Sequence, residues 1–154
     1  MLFRSGHNAN LLLNFPVDRR GLIHENDAAA VLGLRRLIDA TYGPGTDLVR
    51  ARRDVAVGER TATIELDLDP SKPFDRVVLA EPIELGQRVR KFRLSVRAAQ
   101  GVPWQPIAEG TTIGHKRIVR VPSTTAHLLR LEVMDARTQP LISAISVHGA
   151  TGVR

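Results

Sequence analysis

The chain has 154 residues with a formal net charge of +6 and a pI near 10.9, and 43% of its residues are hydrophobic and 25% charged. A chain of that size can bury about two thirds of its unfolded surface, and this balance excludes a disordered or fibrous polymer. There is no cysteine, which excludes disulfides and thiolate metal sites.

In chain order, residues 1–10 hold no apolar core of a signal peptide, and Leu11, Leu12 and Leu13 are too few to span a membrane. Residues 10–15 read Asn-Leu-Leu-Leu-Asn-Phe and stop at Pro16. A short continuous apolar run of this kind predicts a strand buried on both faces, as in parallel sheets and barrels. Pro16, Asp18 and Gly21 predict a turn, and Asn26 stands where a helix N-cap is expected, with Asp27 in the first turn. Ala28, Val31, Leu32, Leu34, Leu37 and Ile38 then recur at helical spacing, with Arg35 and Arg36 on the other side. That pattern predicts one amphipathic helix ending near Tyr42.

Gly43-Pro44-Gly45 stops the helix and marks the change from helical to alternating periodicity, so a boundary is expected near residue 45, dividing 1–45 from 46–154. Beyond it Ala62, Ile64, Leu66 and Leu68 alternate with Thr61, Thr63, Glu65 and Asp67. The same alternation returns in Phe92, Leu94 and Val96 and in Leu129, Leu131 and Val133. Further strand candidates are 76–80, 104–109, 112–121 and 141–147. Seven or eight short strands, separated by turns rich in proline and glycine, predict an antiparallel β-sandwich or jelly roll and a mainly β fold.

Arginine supplies nearly all the positive charge, since the lysines are only Lys72, Lys91 and Lys116. The arginines are broken up by acids or alternate with apolar residues, the pattern of a solvated strand face, so no nucleic-acid or membrane partner is expected. A basic polyanion binder remains a rival whose affinity would fall steeply with salt. No histidine pairs at a metal-ligand spacing, no glycine loop opens a helix to cradle phosphate, and no Gly-x-Ser-x-Gly elbow occurs. No transition-metal site and no cofactor are expected, while a calcium site built from loop carbonyls and carboxylates leaves no mark at this level.

Two stretches resemble family 29 α-L-fucosidases, in particular the branch whose barrel is followed by a galactose-binding-like sandwich. The first runs Asn8-Ala9-Asn10-Leu11-Leu12-Leu13-Asn14-Phe15-Pro16 and on through Asp18-Arg19-Arg20-Gly21-Leu22-Ile23-His24-Glu25-Asn26-Asp27. The second is spread over the sandwich: Phe74-Asp75-Arg76-Val77, Glu81-Pro82-Ile83, Gly86-Gln87-Arg88-Val89, Trp104, Gly110 to Ile118, and Arg130-Leu131. The resemblance implies that the leucine run is the last strand of a (β/α)8 barrel, that the following helix is its last helix, and that a galactose-binding-like module follows. Such enzymes are retaining glycosidases whose two carboxyl groups lie about 5 Å apart. The family's nucleophile aspartate and acid/base glutamate lie on earlier barrel segments without counterpart here, so no catalytic residue is carried over and the chain alone is expected to be inactive. Family members are often secreted or periplasmic, whereas this chain carries no visible signal peptide.

One strand and one helix cannot close a barrel, so residues 1–25 are expected to be poorly ordered, to pair with a partner or to pack irregularly against the sandwich. The partners this implies are a missing catalytic barrel, self-association through residues 1–45, and a fucosylated glycan. Candidate sugar contacts are Asn14, Phe15 and Asp18, at the carboxyl end of the barrel-like strand. The family's usual Asn-Ile-Pro-Pro is here Asn-Phe-Pro-Val, and Asn14 and Asp18 are also good turn formers. Trp104 is the single tryptophan and a candidate stacking platform, although its neighbours Pro103 and Ile107 suit a core position better. His115 and Arg117, on either side of Lys116, could donate to sugar hydroxyls, or form one face of a half-buried strand. The sequence thus supports an accessory sandwich of a fucosidase, with a stand-alone carbohydrate-binding module as the rival reading.

Overall fold

A computed structural model of the chain describes residues 4–5, 9–10, 12–99 and 101–149. Two-residue strands β1 (Arg4–Ser5) and β2 (Ala9–Asn10) pair antiparallel. Helix α1 spans Glu25–Tyr42, and eight strands follow: β3 (Val49–Val57), β4 (Ala62–Leu68), β5 (Phe74–Ala80), β6 (Val89–Arg97), β7 (Gln105–Gly110), β8 (Arg117–Thr124), β9 (Leu128–Ala136) and β10 (Ala144–His148). They form a five-stranded sheet ordered β3-β4-β9-β6-β7 and a three-stranded sheet ordered β10-β5-β8. Every pairing in both sheets is antiparallel.

The period-two pattern becomes the core directly. Ala62, Ile64, Leu66 and Leu68 of β4, Leu129, Leu131 and Val133 of β9, and Phe92, Leu94 and Val96 of β6 are buried together. Val77, Leu79, Val121 and Val147 of the three-stranded sheet belong to the same cluster. Register follows from this: Ile64 lies opposite Leu131, and Leu131 opposite Leu94, so a slip of one residue would turn every apolar side chain to water. The close fit is visible at Gly110, where a Cβ would lie 2.5 Å from the Phe92 ring.

Strand β3 has no counterpart among the sequence expectations. Its Val-Arg-Ala-Arg-Arg-Asp-Val-Ala-Val run is exposed from residue 50 onward, so burial left no periodic mark on it. It is an edge strand, and its arginines pair sideways: Arg53 with Asp67 at 2.6 Å, Arg50 with Asp69 at 3.0 Å and Arg52 with Asp54 at 3.0 Å. Charge of this kind discourages edge-to-edge association. At the opposite edge β7 carries Pro106, which has no N–H to offer a further strand.

Three local expectations are corrected. Residues 12–16 form no strand, and Leu12 and Leu13 are 92% and 43% exposed, because no neighbouring strand offers the run a ladder or covers it; Leu11 lies outside the described residues. The helix is capped by His24, whose Nδ1 accepts from the Asn26 N–H at 3.2 Å, so the cap falls two residues before Asn26. The strand expected over 112–121 begins at Arg117, because Ile113 and Gly114 are held in a buried loop.

Candidate functional site

The sequence-derived candidates lie on separate parts of the fold. Asn14 is exposed and Phe15 half-buried in the segment ahead of α1. Asp18 closes a tight turn: its Oδ1 accepts from the Arg20 and Leu22 N–H groups at 2.8 and 3.2 Å, and its Oδ2 from Arg20 Nε at 2.8 Å. The Arg20 hydrogen bond holds this carboxyl below its ordinary range. Asp18 therefore has a complete local role as a turn former.

Trp104 is not part of the core cluster. It lies over the outer face of the five-stranded sheet, with the Arg97 and Arg130 guanidiniums 4.3 and 4.0 Å from the ring centroid. Arg130 is in turn fixed to Glu65, the residue opposite it on β4. Ser95, opposite Arg130 on β6, is buried beneath this layer. A ring covered by guanidiniums offers little bare surface for a sugar. Its Nε1 is buried and has no hydrogen-bond partner among the described residues.

His115 is half-buried in the loop before β8. Arg117 shares the inward side of β8 with Val119 and Val121, lies 5.4 Å from the Phe92 ring and donates from Nη1 to the Thr112 carbonyl at 2.5 Å. It plugs the rim of the sandwich. Lys116, next in the chain, lines a different surface, the cleft described below.

The strongest convergence of polar groups lies where the carboxyl end of α1 meets the three-stranded sheet. A cleft of about 510 Å³ is lined there by Tyr42, Asp47, Lys116, Ser146 and His148, among others. Gly43 caps the helix, donating to the Asp39 carbonyl at 2.8 Å. Thr46 Oγ1 donates to the Gly43 carbonyl at 2.9 Å and so accepts from His148 Nδ1–H at 3.0 Å; Ser146 Oγ donates to Nε2 at 2.8 Å. This assigns the neutral Nδ1–H tautomer to His148. Tyr42 meets the imidazole edge to face, with centroids 5.1 Å apart. Burial lowers the His148 pKa below its ordinary value, with Asp47 pulling weakly the other way, and burial raises that of the Tyr42 hydroxyl. Asp47 Oδ1 accepts from Val49 and Val147 N–H at 3.0 and 2.9 Å, which ties β3 to β10 across the two sheets. The arrangement is a joint that fixes the helix to the sandwich.

The one buried acid among the described residues was not singled out as such from the sequence. Glu81 is 2% exposed, and its Oε1 accepts from the Arg88 and Val89 N–H groups at 2.8 and 2.9 Å, its Oε2 from Gly114 N–H at 2.7 Å. One carboxylate thus organises the loops before β6 and β8. Its sequence signal was its place in the Glu81-Pro82-Ile83 stretch, with nothing there to mark it as buried.

Among the described residues no group of three His, Asp or Glu side chains could hold a metal ion, and no helix is long and apolar enough to cross a membrane. Hydrogen bonds hold the carboxyls of Asp18, Glu25, Asp69 and Glu109 below their ordinary range.

These features define an antiparallel β-sandwich of the galactose-binding-like class preceded by a helix. A pectin-binding carbohydrate-binding module shares the fold, with a TM-score of 0.57 and 15% identity over 71% of this chain and 96% of that one. No family model matches the chain. Its relatives are nonetheless clear: it is homologous to one part of the α-L-fucosidases, including enzymes of glycoside hydrolase family 29. A structure from Bacteroides thetaiotaomicron assigned as an α-L-fucosidase is 32% identical, with a TM-score of 0.82 over 97% of this chain and 38% of that one. The family 29 fucosidase of Ruminococcus gnavus, solved with fucose, is 28% identical, with a TM-score of 0.82 over 96% and 35%. A rice (Oryza sativa subsp. japonica) protein bearing the name α-L-fucosidase 1 is 41% identical over 90 residues, which are 58% of this chain and 17% of that one. The chain therefore spans well under half the length of these relatives.

Proposed function

We propose that this chain is the carboxy-terminal part of an α-L-fucosidase, acting as an accessory sandwich that is locked to the last barrel helix and leaves the chemistry to a barrel outside these 154 residues. On this reading residues 1–45 are the end of that barrel and residues 46–154 the module. One observation carries it: similarity to the fucosidase structures extends over 96–97% of the chain, helix as well as sandwich, at TM-scores of 0.82. A helix and a sandwich that superpose together are held in a shared relative position, and the Tyr42–His148 joint supplies a physical reason. The exposed Leu12, Leu13, Leu22, Ile23, Leu32 and Leu37 then supply apolar surface for the rest of a barrel, or for a second copy of the chain when the barrel is absent.

The test is a chimera in which this chain replaces the matching segment of the Bacteroides thetaiotaomicron protein. Retained hydrolysis of an aryl α-L-fucoside, with loss when the segment is deleted, supports the brace. A chimera that unfolds cooperatively like the parent yet has no activity, or a deletion that leaves activity and stability unchanged, contradicts it.

A second reading, a stand-alone carbohydrate-binding module, is favoured by the overlay of 96% of a complete binding module on this chain. Titration with fucose, galactose and fucosylated oligosaccharides addresses it, and an absence of saturable shifts at millimolar sugar would remove it.

A further inference from the structure

A cleft of about 580 Å³ opens between the β3–β4 hairpin and the loop that follows β9, lined by Gly58, Glu59, Arg60, Arg137, Thr138 and Gln139, with Val57 at its edge. Arginine builds its walls. Arg60 donates from Nε to the Ala136 carbonyl and from Nη2 to Asp135 Oδ1, both at 2.8 Å, and Arg88 Nη1 donates to the Gln139 carbonyl at 2.8 Å. Asp135 also faces Arg90, with N···O 3.4 Å. Asp135 is thus shared by Arg60 and Arg90, while Arg60 and Arg137 line the cleft with Glu59 as its one acid. The Arg137 side chain, exposed at the mouth of the cleft, makes no hydrogen bond or ion pair among the described residues.

We propose that this cleft binds a uronic-acid residue of an acidic saccharide, with the Arg137 guanidinium pairing with its carboxylate and Thr138, Gln139 and the Gly58 backbone meeting its hydroxyls. The planar guanidinium fork matches a carboxylate with two parallel hydrogen bonds. The cleft falls within the size range of small-molecule sites. Its lining holds no aromatic ring, whereas single-stranded nucleic acid is gripped largely by stacking, so the lining favours a saccharide. The carboxylate half of the inference stands on the charge of the cleft; the saccharide half rests on the glycan-binding reading above.

The experiment titrates the full chain with tetragalacturonate, its methyl ester and a neutral fucosylated trisaccharide, followed by amide chemical shifts. Saturable binding of the acid is expected, with shifts at Gly58, Thr138 and Gln139. The ester and the Arg137→Ala variant should each bind about tenfold more weakly, the loss of one charge-assisted pair. Arg137→Ala is exposed, and an unchanged unfolding midpoint confirms that it folds. Equal binding of acid and ester, no binding of either, or an Arg137→Ala variant that binds normally would overturn the proposal. A DNA oligonucleotide or inorganic polyphosphate binding as tightly as the tetramer would overturn its saccharide half. Binding of the neutral trisaccharide alone would leave the glycan reading standing and remove this one.

Discussion

At the level of single residues, Glu81 and His148 carry consequences beyond their size. Glu81 accepts from three backbone N–H groups in a buried site, so Glu81→Ala strands three donors and is expected to cost about 3 kcal/mol or more. Glu81→Gln, which keeps one carbonyl oxygen, should cost less; urea unfolding of both variants checks the order. His148 is neutral and buried, and its folded pKa lies below the unfolded value of about 6.5. The unfolded chain therefore takes up the proton first as pH falls. The contribution of His148 to stability is intact above about pH 6.5 and declines below it, until the folded form is protonated too. Unfolding midpoints measured stepwise from pH 7.5 to 5 should fall, and His148→Gln should flatten that slope. The role of neither residue was legible in the sequence, because a buried acid or histidine is recognised by what surrounds it, and those neighbours come from distant positions such as Gly114 and Thr46. Trp104 shows the converse: its size suggested a core position, yet two arginines cover it on an outer face. Its fluorescence should stay within error when neutral sugars are added.

At the level of elements, alternation made the buried strands legible. β4, β6 and β9 were readable because each has one dry and one wet face, while β3 was not, because an edge strand exposed along nearly its whole length has nothing to alternate. The helix was readable from its 3.6-residue period and its stop signal, although not one of its residues is fully buried in this chain. Its anchor is the turn after it. A Cβ on Gly43 would lie 2.2 Å from the Asp39 carbonyl oxygen, so Gly43→Ala has to displace the helix end. The expected cost is about 1–3 kcal/mol, the usual penalty for forcing an extra carbon into a packed site. Amide exchange should speed up over α1 and at His148 while β4, β6 and β9 stay protected. Equal loosening throughout would show that the joint is not a separate unit.

At the level of the whole molecule, the buried apolar core lies between Leu48 and Val147, and helix α1 adds no buried residue to it. The core draws on both sheets, whereas Leu12, Leu13, Leu22, Ile23, Leu32 and Leu37 are exposed. Leu32→Glu with Leu37→Glu is expected to leave stability within about 0.5 kcal/mol, as surface changes do, while weakening any self-association seen by sedimentation. The fucosidase kinship was legible because two sequence stretches kept their order. The candidate residues Asn14, Trp104 and Arg117 came from separate stretches and lie on different parts of the fold. The central claim is that the reactive carboxyl pair lies outside this chain. Hydrolysis of an aryl α-L-fucoside by the purified 154-residue protein tests it most directly: the account predicts no release above the uncatalysed background, and saturable turnover that retains anomeric configuration would contradict it.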